Sequence, residues 1–255
     1  MSPTPAPPGL AVVTGASSGI GLELARELAS RGHPILAVAR RADRLDALAR
    51  EAAHASGRVH PLVLDLGAPG AAERVLGAAR ALGGATWLVN NAGFGIYGRF
   101  DASSGARLGE MVRLNCEALV LLSHALLPDL RARAPSVLLN VASAAAFQPT
   151  PFMAAYGATK AFVLSFTEGL AEELRGGGVT VAAFCPGPVE TEFGAVAGTG
   201  KRFREVPGIL TARAAALAAL AQVDRREVVH VPGPWNKLAT TGGRFLPRAL
   251  LRRVS

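Results

Sequence analysis

The chain has little cysteine: Cys116 and Cys185 are its only two, each sits inside an apolar run, and their spacing suits no metal. A zinc site is thereby excluded, and two reduced, buried thiols in a cytoplasmic protein are expected. Met1 to Gly9 is proline-rich and has neither the basic nor the apolar region of a secretory signal, so residues 1–9 are expected to form a flexible lead-in. Long apolar runs are missing as well. The longest, Ala118 to Leu122 continuing past Ser123 and His124 to Leu127, falls short of a bilayer, and no transmembrane helix is expected. A formal net charge of +8 does not signal nucleic acid, because the basic residues are scattered along helical patterns with no aromatic-and-basic cluster among them.

What is present is apolar. Half of the 255 residues are hydrophobic against 18% charged, enough for a large core at a length that suits one domain. Short β-branched or Leu-rich runs at Leu10 to Thr14, Ile35 to Ala39, Val59 to Leu64, Trp87 to Asn90, Val137 to Ala142, Val179 to Phe184 and Glu227 to Val231 read as strands. Between them, Gly19 to Arg31, Arg41 to Ser56, Ala71 to Leu82, Leu108 to Ala132, Ala154 to Arg175 and Thr211 to Gln222 carry apolar residues at helical spacing. Gly176, Gly177 and Gly178 end the fifth helix. This alternation predicts an α/β fold: one doubly wound (Rossmann) domain over 10–231, with a seven-stranded parallel sheet and helices on both faces.

The first strand runs directly into Gly15, Ala16, Ser17, Ser18, Gly19, Ile20 and Gly21 and then a helix. Glycines there let the backbone turn tightly and approach a pyrophosphate, whose charge meets free N–H groups and a helix N-terminus. Further patterns follow in order: Asp65 and Leu66 after the third strand, NNAG at Asn90 to Gly93, Asn115, Ser143, YGATK at Tyr156 to Lys160, and PGPVET at Pro186 to Thr191. Taken together, TGASSGIG and these elements resemble the short-chain dehydrogenase/reductase superfamily, closely over Leu10 to Thr191. The resemblance implies an oxidoreductase that binds a nicotinamide dinucleotide. Asp65 would accept from the adenine amino group, the backbone of Leu66 would meet the ring, and Asn91, with Ala92 and Gly93, would lie near the adenosine ribose. Pro186, Gly187, the backbone of Val189, and Thr191 would hold the nicotinamide end.

An acid near the end of the second strand would bind a ribose 2′-hydroxyl, but the strand ends Ala39, Arg40, Arg41, with no carboxylate before Asp43. Arg40, with Ser17 as a further donor, suits a 2′-phosphate, so NADP(H) is expected over NAD(H). Arg40 and Arg41 solvating the next helix, with use of both cofactors, is the alternative.

Tyr156 and Lys160 are four residues apart in a helical pattern and project from one face. A phenol titrates near about 10, and a neighbouring ammonium would favour the phenolate and tune it for proton transfer to a carbonyl oxygen. Ser143 ends the preceding strand, at the sheet edge where open α/β folds bind ligands. By the resemblance, Ser143 bonds the substrate oxygen, and Asn115 holds a water that links Lys160 to solvent.

The segment 192–210 lies where the family has a mobile substrate lid. Phe147, Phe152 and Phe193 would line an apolar pocket for a hydrophobic carbonyl or alcohol substrate, though core packing explains those rings equally well. The resemblance also implies a homodimer or homotetramer through the helices at 108–132 and 154–175. Residues 232–255 carry Lys237, Arg244, Arg248, Arg252 and Arg253 and no acid, and from Arg244 the spacing predicts a basic amphipathic helix. A cap over the active site or a partner subunit suits that helix better than peripheral contact with a membrane. The rival to turnover is a sensor that binds NADP(H) without reducing anything, although such proteins usually lose the Tyr or Lys kept here.

Overall fold

A computed structural model describes residues 8–54, 57–198, 209–243 and 252. β1 (Leu10–Thr14) and β2 (Ile35–Ala39) are buried at every position, and β3 (Val59–Val63) is the more exposed edge. β4 (Ala85–Asn90), β5 (Ser136–Val141) and β6 (Val179–Phe184) are again buried almost throughout. Strands apolar on both sides need cover on both faces, a condition that parallel strands joined through helices meet. The two-residue strands β7 (Val189–Glu190) and β8 (Leu210–Thr211) pair apart from the main sheet, and β9 (Val229–His230) closes its far edge. The main sheet is seven-stranded and parallel, in the order β3-β2-β1-β4-β5-β6-β9, so the fold is the expected single doubly wound domain.

α1 (Gly19–Ser30), α2 (Ala42–Glu51) and α8 (Ala212–Asp224) bury Leu24, Leu28, Leu45, Leu48 and Leu220 in one core. α3 (Ala71–Ala81) and α5 (Ala118–Ala132) bury Val75, Ala79, Leu122, Leu126 and Leu130 in the other. Strand order reverses between β1 and β4, and the crevice at their C-terminal ends is where such folds take ligands.

Several elements differ from the sequence expectations. The helix expected at Leu108 to Ala132 begins earlier, as α4 (Gly105–Val112), and reaches α5 through a π-helical turn at Arg113–Glu117. The joined rod, Gly105–Ala132, is long and apolar enough to cross a membrane by length and composition, which uninterrupted runs alone did not reveal. Its buried leucines are spent on the sheet and on α3. The last strand is shorter than Glu227 to Val231: only Val229 and His230 pair with β6, while the Gln222 amide donates to the Glu227 and Val228 carbonyls just before them. α6 spans Ala154–Glu173, and two helices were not anticipated, α7 (Phe193–Ala197) and α9 (Pro234–Gly243). The expected lead-in over residues 1–7, the lid between 199 and 208, and the tail pattern from 244 onward, Arg252 apart, lie outside the described residues.

Candidate active site

At the end of β1, the Thr14 hydroxyl donates to the Val89 carbonyl at 3.1 Å and accepts from the Asn91 and Ala92 N–H groups at 2.9 and 3.0 Å. Asn91 returns the bond, its amide donating to the Thr14 carbonyl at 2.9 Å. These contacts lock β1 to β4 and leave no room for a side chain at the glycine positions of the turn that follows β1. A Cβ on Gly21 would meet the Asn91 amide nitrogen at 2.2 Å, and one on Gly15 would meet it at 2.7 Å, with φ at +66°. Gly19, at φ +57°, faces Thr191 in the same way at 3.1 Å. The turn is thus a bare-backbone cradle at a helix N-terminus, with Ser18 at the N-cap position and Ile20 in the first turn. That is the chemistry a pyrophosphate requires. Asn91 sits in this brace, a structural place beyond the ribose contact that the resemblance implied.

The structure brings Arg41, not Arg40, to Ser17. The Ser17 hydroxyl accepts from Arg41 Nε at 3.2 Å and Nη2 at 3.0 Å, while Arg40 is exposed at the end of β2. Arg41 Nη1 reaches Glu192 Oε2 at 2.7 Å, and Arg44 Nη2 lies 3.6 Å from Glu192 Oε1. Glu192 also bonds Ser18, and the Arg41 guanidinium holds its carboxyl below the usual carboxylate range. Asp65 is exposed and accepts from the Gly67 N–H at 2.9 Å, as a turn residue would, with Leu66 buried beside it.

Ser143, Tyr156 and Lys160 converge beyond the ends of β5 and β6. The Ser143 hydroxyl accepts from the Ala145 N–H at 3.1 Å and is hydrogen-bonded to the Tyr156 phenol. Gly95 makes room for the phenol ring, since a Cβ there would meet it at 3.2 Å, and Phe193 lies against the ring at a centroid distance of 5.3 Å. Lys160 Nζ donates to the Val141 carbonyl at 2.7 Å and lies 5.9 Å from the centre of the Tyr156 ring. Burial dominates both titrations: it pushes the phenol up to about 12, against the pull of the Ser143 hydroxyl, and pushes the ammonium down to about 8. The tuning of Tyr156 toward phenolate expected from Lys160 is therefore not the ruling effect here. The ammonium is tied to the backbone, and desolvation of the phenol wins.

Asn115 occupies the π-helical turn, buried. Its Oδ1 accepts from the Phe94 N–H at 3.1 Å, and its amide donates to the Phe94 carbonyl at 3.0 Å and to Thr159 Oγ1 at 3.1 Å. It therefore pins the loop after β4 to the helix that carries Tyr156 and Lys160. Gly93 lies between Asn115 and Lys160, where a Cβ would come within 2.8 Å of Asn115 Oδ1 and 3.8 Å of Lys160 Nζ. The Pro186 carbonyl accepts from the Ala144 N–H at 2.8 Å, joining the turn after β6 to the Ser143 turn. Val189 lies in β7, Thr191 Oγ1 accepts from the Phe193 N–H at 3.2 Å, and Gly187 is covered by Asn236 of α9.

Beside this cluster, a cavity of about 400 Å³ is lined by Ile96, Phe100, Leu108, Pro151 and Phe152, with Arg99 and Asp101 also on its wall. Phe152 stands at φ +62° with its carbonyl bonded to the Gly98 N–H. Phe193 covers Tyr156, Phe152 lines the cavity, and Phe147 packs in the core under α6. Sequence reasoning missed Arg41 as the Ser17 partner, and it missed Glu192 and Asn236 entirely. The Arg41 and Arg44 spacing at the start of α2 was the one signal available for the first. No group of three or more metal-binding side chains occurs among the described residues.

A family model described as short chain dehydrogenase matches residues 9–201. The chain is 33% identical over 248 residues to sulfoacetaldehyde reductase 2 of Chromohalobacter salexigens, covering 90% of this chain and 97% of that protein. It is 36% identical over 199 residues to a short chain dehydrogenase of Pseudocercospora fijiensis, a match that takes in 72% of this chain and only 61% of that longer protein. Among solved structures, a short-chain dehydrogenase from Sphingobium yanoikuyae in complex with NADPH superposes with a TM-score of 0.81 at 34% identity, covering 95% of this chain and 97% of the other.

Proposed function

From the premise that this chain belongs to the short-chain dehydrogenase/reductase family and is an NAD(P)-binding oxidoreductase, we propose that it is an NADP(H)-preferring carbonyl reductase, also able to run as an alcohol dehydrogenase, with Tyr156 as its proton-transferring residue. The observation that carries this reading is the convergence of Ser143, Tyr156 and Lys160 beside a glycine cradle at the carboxyl edge of the sheet.

When bound, the nicotinamide supplies the hydride to the carbonyl carbon, or takes it up in the reverse direction. Ser143 holds the substrate oxygen by a hydrogen bond, stabilising the charge that develops there. Tyr156 Oη delivers its proton to that oxygen, completing the alcohol. The high phenol pKa keeps Tyr156 protonated and ready at neutral pH. Lys160, one helical turn from Tyr156 and lowered by burial to about 8, is the group we assign to the return of that proton through an intervening donor, and Asn115 shapes the route by fixing the loop at Phe94. Gly15, Gly19, Ile20 and Gly21 form the phosphate cradle, Asp65, Leu66, Asn91, Ala92 and Gly93 the adenosine side, and Pro186, Gly187, Val189 and Thr191 the nicotinamide side. Arg41, held by Ser17, is better placed than Arg40 for a 2′-phosphate.

A hydrophobic ketone or aldehyde is the substrate class we propose, because Phe193 over Tyr156 and the Ile96, Leu108 and Phe152 cavity offer apolar contact. Of the expected lid, the described stretch 192–198 carries Phe193 against the Tyr156 ring. Exposed Leu121 on α5 and Phe162 on α6, the latter stacked on Phe166, support pairing of two copies through those helices, as a homodimer or homotetramer. Two unbridged cysteines suit a cytoplasmic setting.

The test is a titration with NADPH and NADH followed by nicotinamide fluorescence, then a panel of hydrophobic ketones and aldehydes with NADPH oxidation read by absorbance. Tighter binding of NADPH with turnover of panel members is the expected result. Failure to bind either nucleotide would overturn the reading, and binding without turnover would transfer it to a sensor role.

A further inference from the structure

The end of β2 provides two arginines and no acid, yet a carboxylate does stand at that place, brought there from the other side of the cleft. Glu192 follows Thr191 directly, at the base of the expected lid, and is 151 residues from Arg41 in the chain. Its two oxygens divide between two guanidiniums, Oε2 at 2.7 Å from Arg41 Nη1 and Oε1 at 3.6 Å from Arg44 Nη2. Ser17 bonds the same Arg41, and Ser18 bonds the same carboxylate. Two arginines and the Ser18 hydroxyl around one anion at the start of the glycine turn, with Ser17 holding the first arginine, are a donor set that suits a phosphate monoester, here holding a carboxylate instead.

We infer that Glu192 limits the discrimination that the arginines make between 2′-phosphorylated and unphosphorylated nucleotide: it occupies the Arg41 and Arg44 guanidiniums until a 2′-phosphate displaces it. The inference rests on the reading that these arginines face the adenosine ribose. A phosphate brings more charge and a third oxygen to the arginines, so it wins them from a single carboxylate. The displaced tie is weak, since the paired side chains are 41% to 52% exposed and such pairs are screened by water and salt. Against a nucleotide that lacks the phosphate, the carboxylate stays where it is, able to accept a hydrogen bond from a 2′-hydroxyl. Glu192 therefore opposes NADP(H) and tolerates or favours NAD(H), in the manner of an acid at the end of β2 but from the lid.

The experiment measures NADPH and NADH dissociation constants by nicotinamide fluorescence for the wild type, Glu192→Gln, Arg41→Ala and the double variant, with thermal melts to establish that each is folded. Glu192→Gln is expected to tighten NADPH about two- to fivefold, the worth of one exposed ion pair, and to leave NADH unchanged or weaker. The gain should shrink in high salt and vanish in the Arg41→Ala background. Glu192→Ala should reproduce the direction. NADPH affinity that is unchanged or lowered by Glu192→Gln, while Arg41→Ala still erases the preference, overturns the inference alone. An Arg41→Ala protein with an unaltered NADPH-to-NADH ratio overturns the arginine reading beneath it as well.

Discussion

Lys160 lies one helical turn from Tyr156, with Nζ 5.9 Å from the centre of the phenol ring and its hydrogen bond given to the Val141 carbonyl at 2.7 Å. The lysine is thus held by backbone rather than by the phenol, and both groups carry the mark of burial.

That burial makes stability depend on pH in a defined window. The folded pKa of Lys160, about 8, is below its ordinary value of 10.5. Below about pH 8 the native protein bears the full cost of a buried ammonium, and that cost is removed as pH rises from 8 to 10.5, because the unfolded chain then binds more protons. Melting temperatures of the wild type should therefore rise relative to Lys160→Met between pH 8 and pH 10. A difference that stays flat across this interval would show that Lys160 titrates normally.

Asn115 is buried with both its side-chain carbonyl and its amide engaged, by Phe94 and Thr159. Asn115→Ala would strand buried polar groups at an expected cost of about 2–4 kcal/mol. Urea denaturation checks this through the midpoint, and a loss below about 1 kcal/mol would contradict it.

Gly19 and Gly70 separate strain from collision. Both have positive φ, +57° and +72°, but a Cβ on Gly19 meets Thr191 at 3.1 Å, whereas one on Gly70 meets nothing within 4 Å. Alanine at either position should cost about 1–2 kcal/mol of stability, as left-handed backbone does for residues with a Cβ. Only Gly19→Ala should also weaken nucleotide binding, by about tenfold if a comparable energy is lost from the site. Equal nucleotide affinities for the two variants would remove Gly19 from the cradle.

The sheet was legible because its central strands are buried on both sides and therefore written in largely apolar runs such as Leu10–Thr14 and Ile35–Ala39. The clustering of Ser143, Tyr156 and Lys160 was legible for a related reason: strand ends and helical turns fix where such side chains stand. What the sequence hid depends on tertiary contact. Arg40 and Arg41 are adjacent at the end of a strand, where successive side chains take opposite sides, and composition does not choose between them. Glu192 reaches them from 151 positions away, a distance no local pattern encodes. The π-helical turn at Asn115 inserts itself in an otherwise regular helical pattern, and β7 and β8, at two residues each, are too short to leave a periodic signature. α9 begins at Pro234, ahead of the basic repeat that drew attention to the tail.

The most direct test of the account is NADPH oxidation with a hydrophobic carbonyl substrate by wild type and Tyr156→Phe, alongside NADPH binding by both. Phenylalanine keeps the ring packed against Phe193 and Met153 and removes only the hydroxyl. The account predicts NADPH affinity within about twofold of wild type and turnover lower by about a hundredfold or more, as loss of a general acid entails. Wild-type turnover in the Tyr156→Phe protein would contradict it.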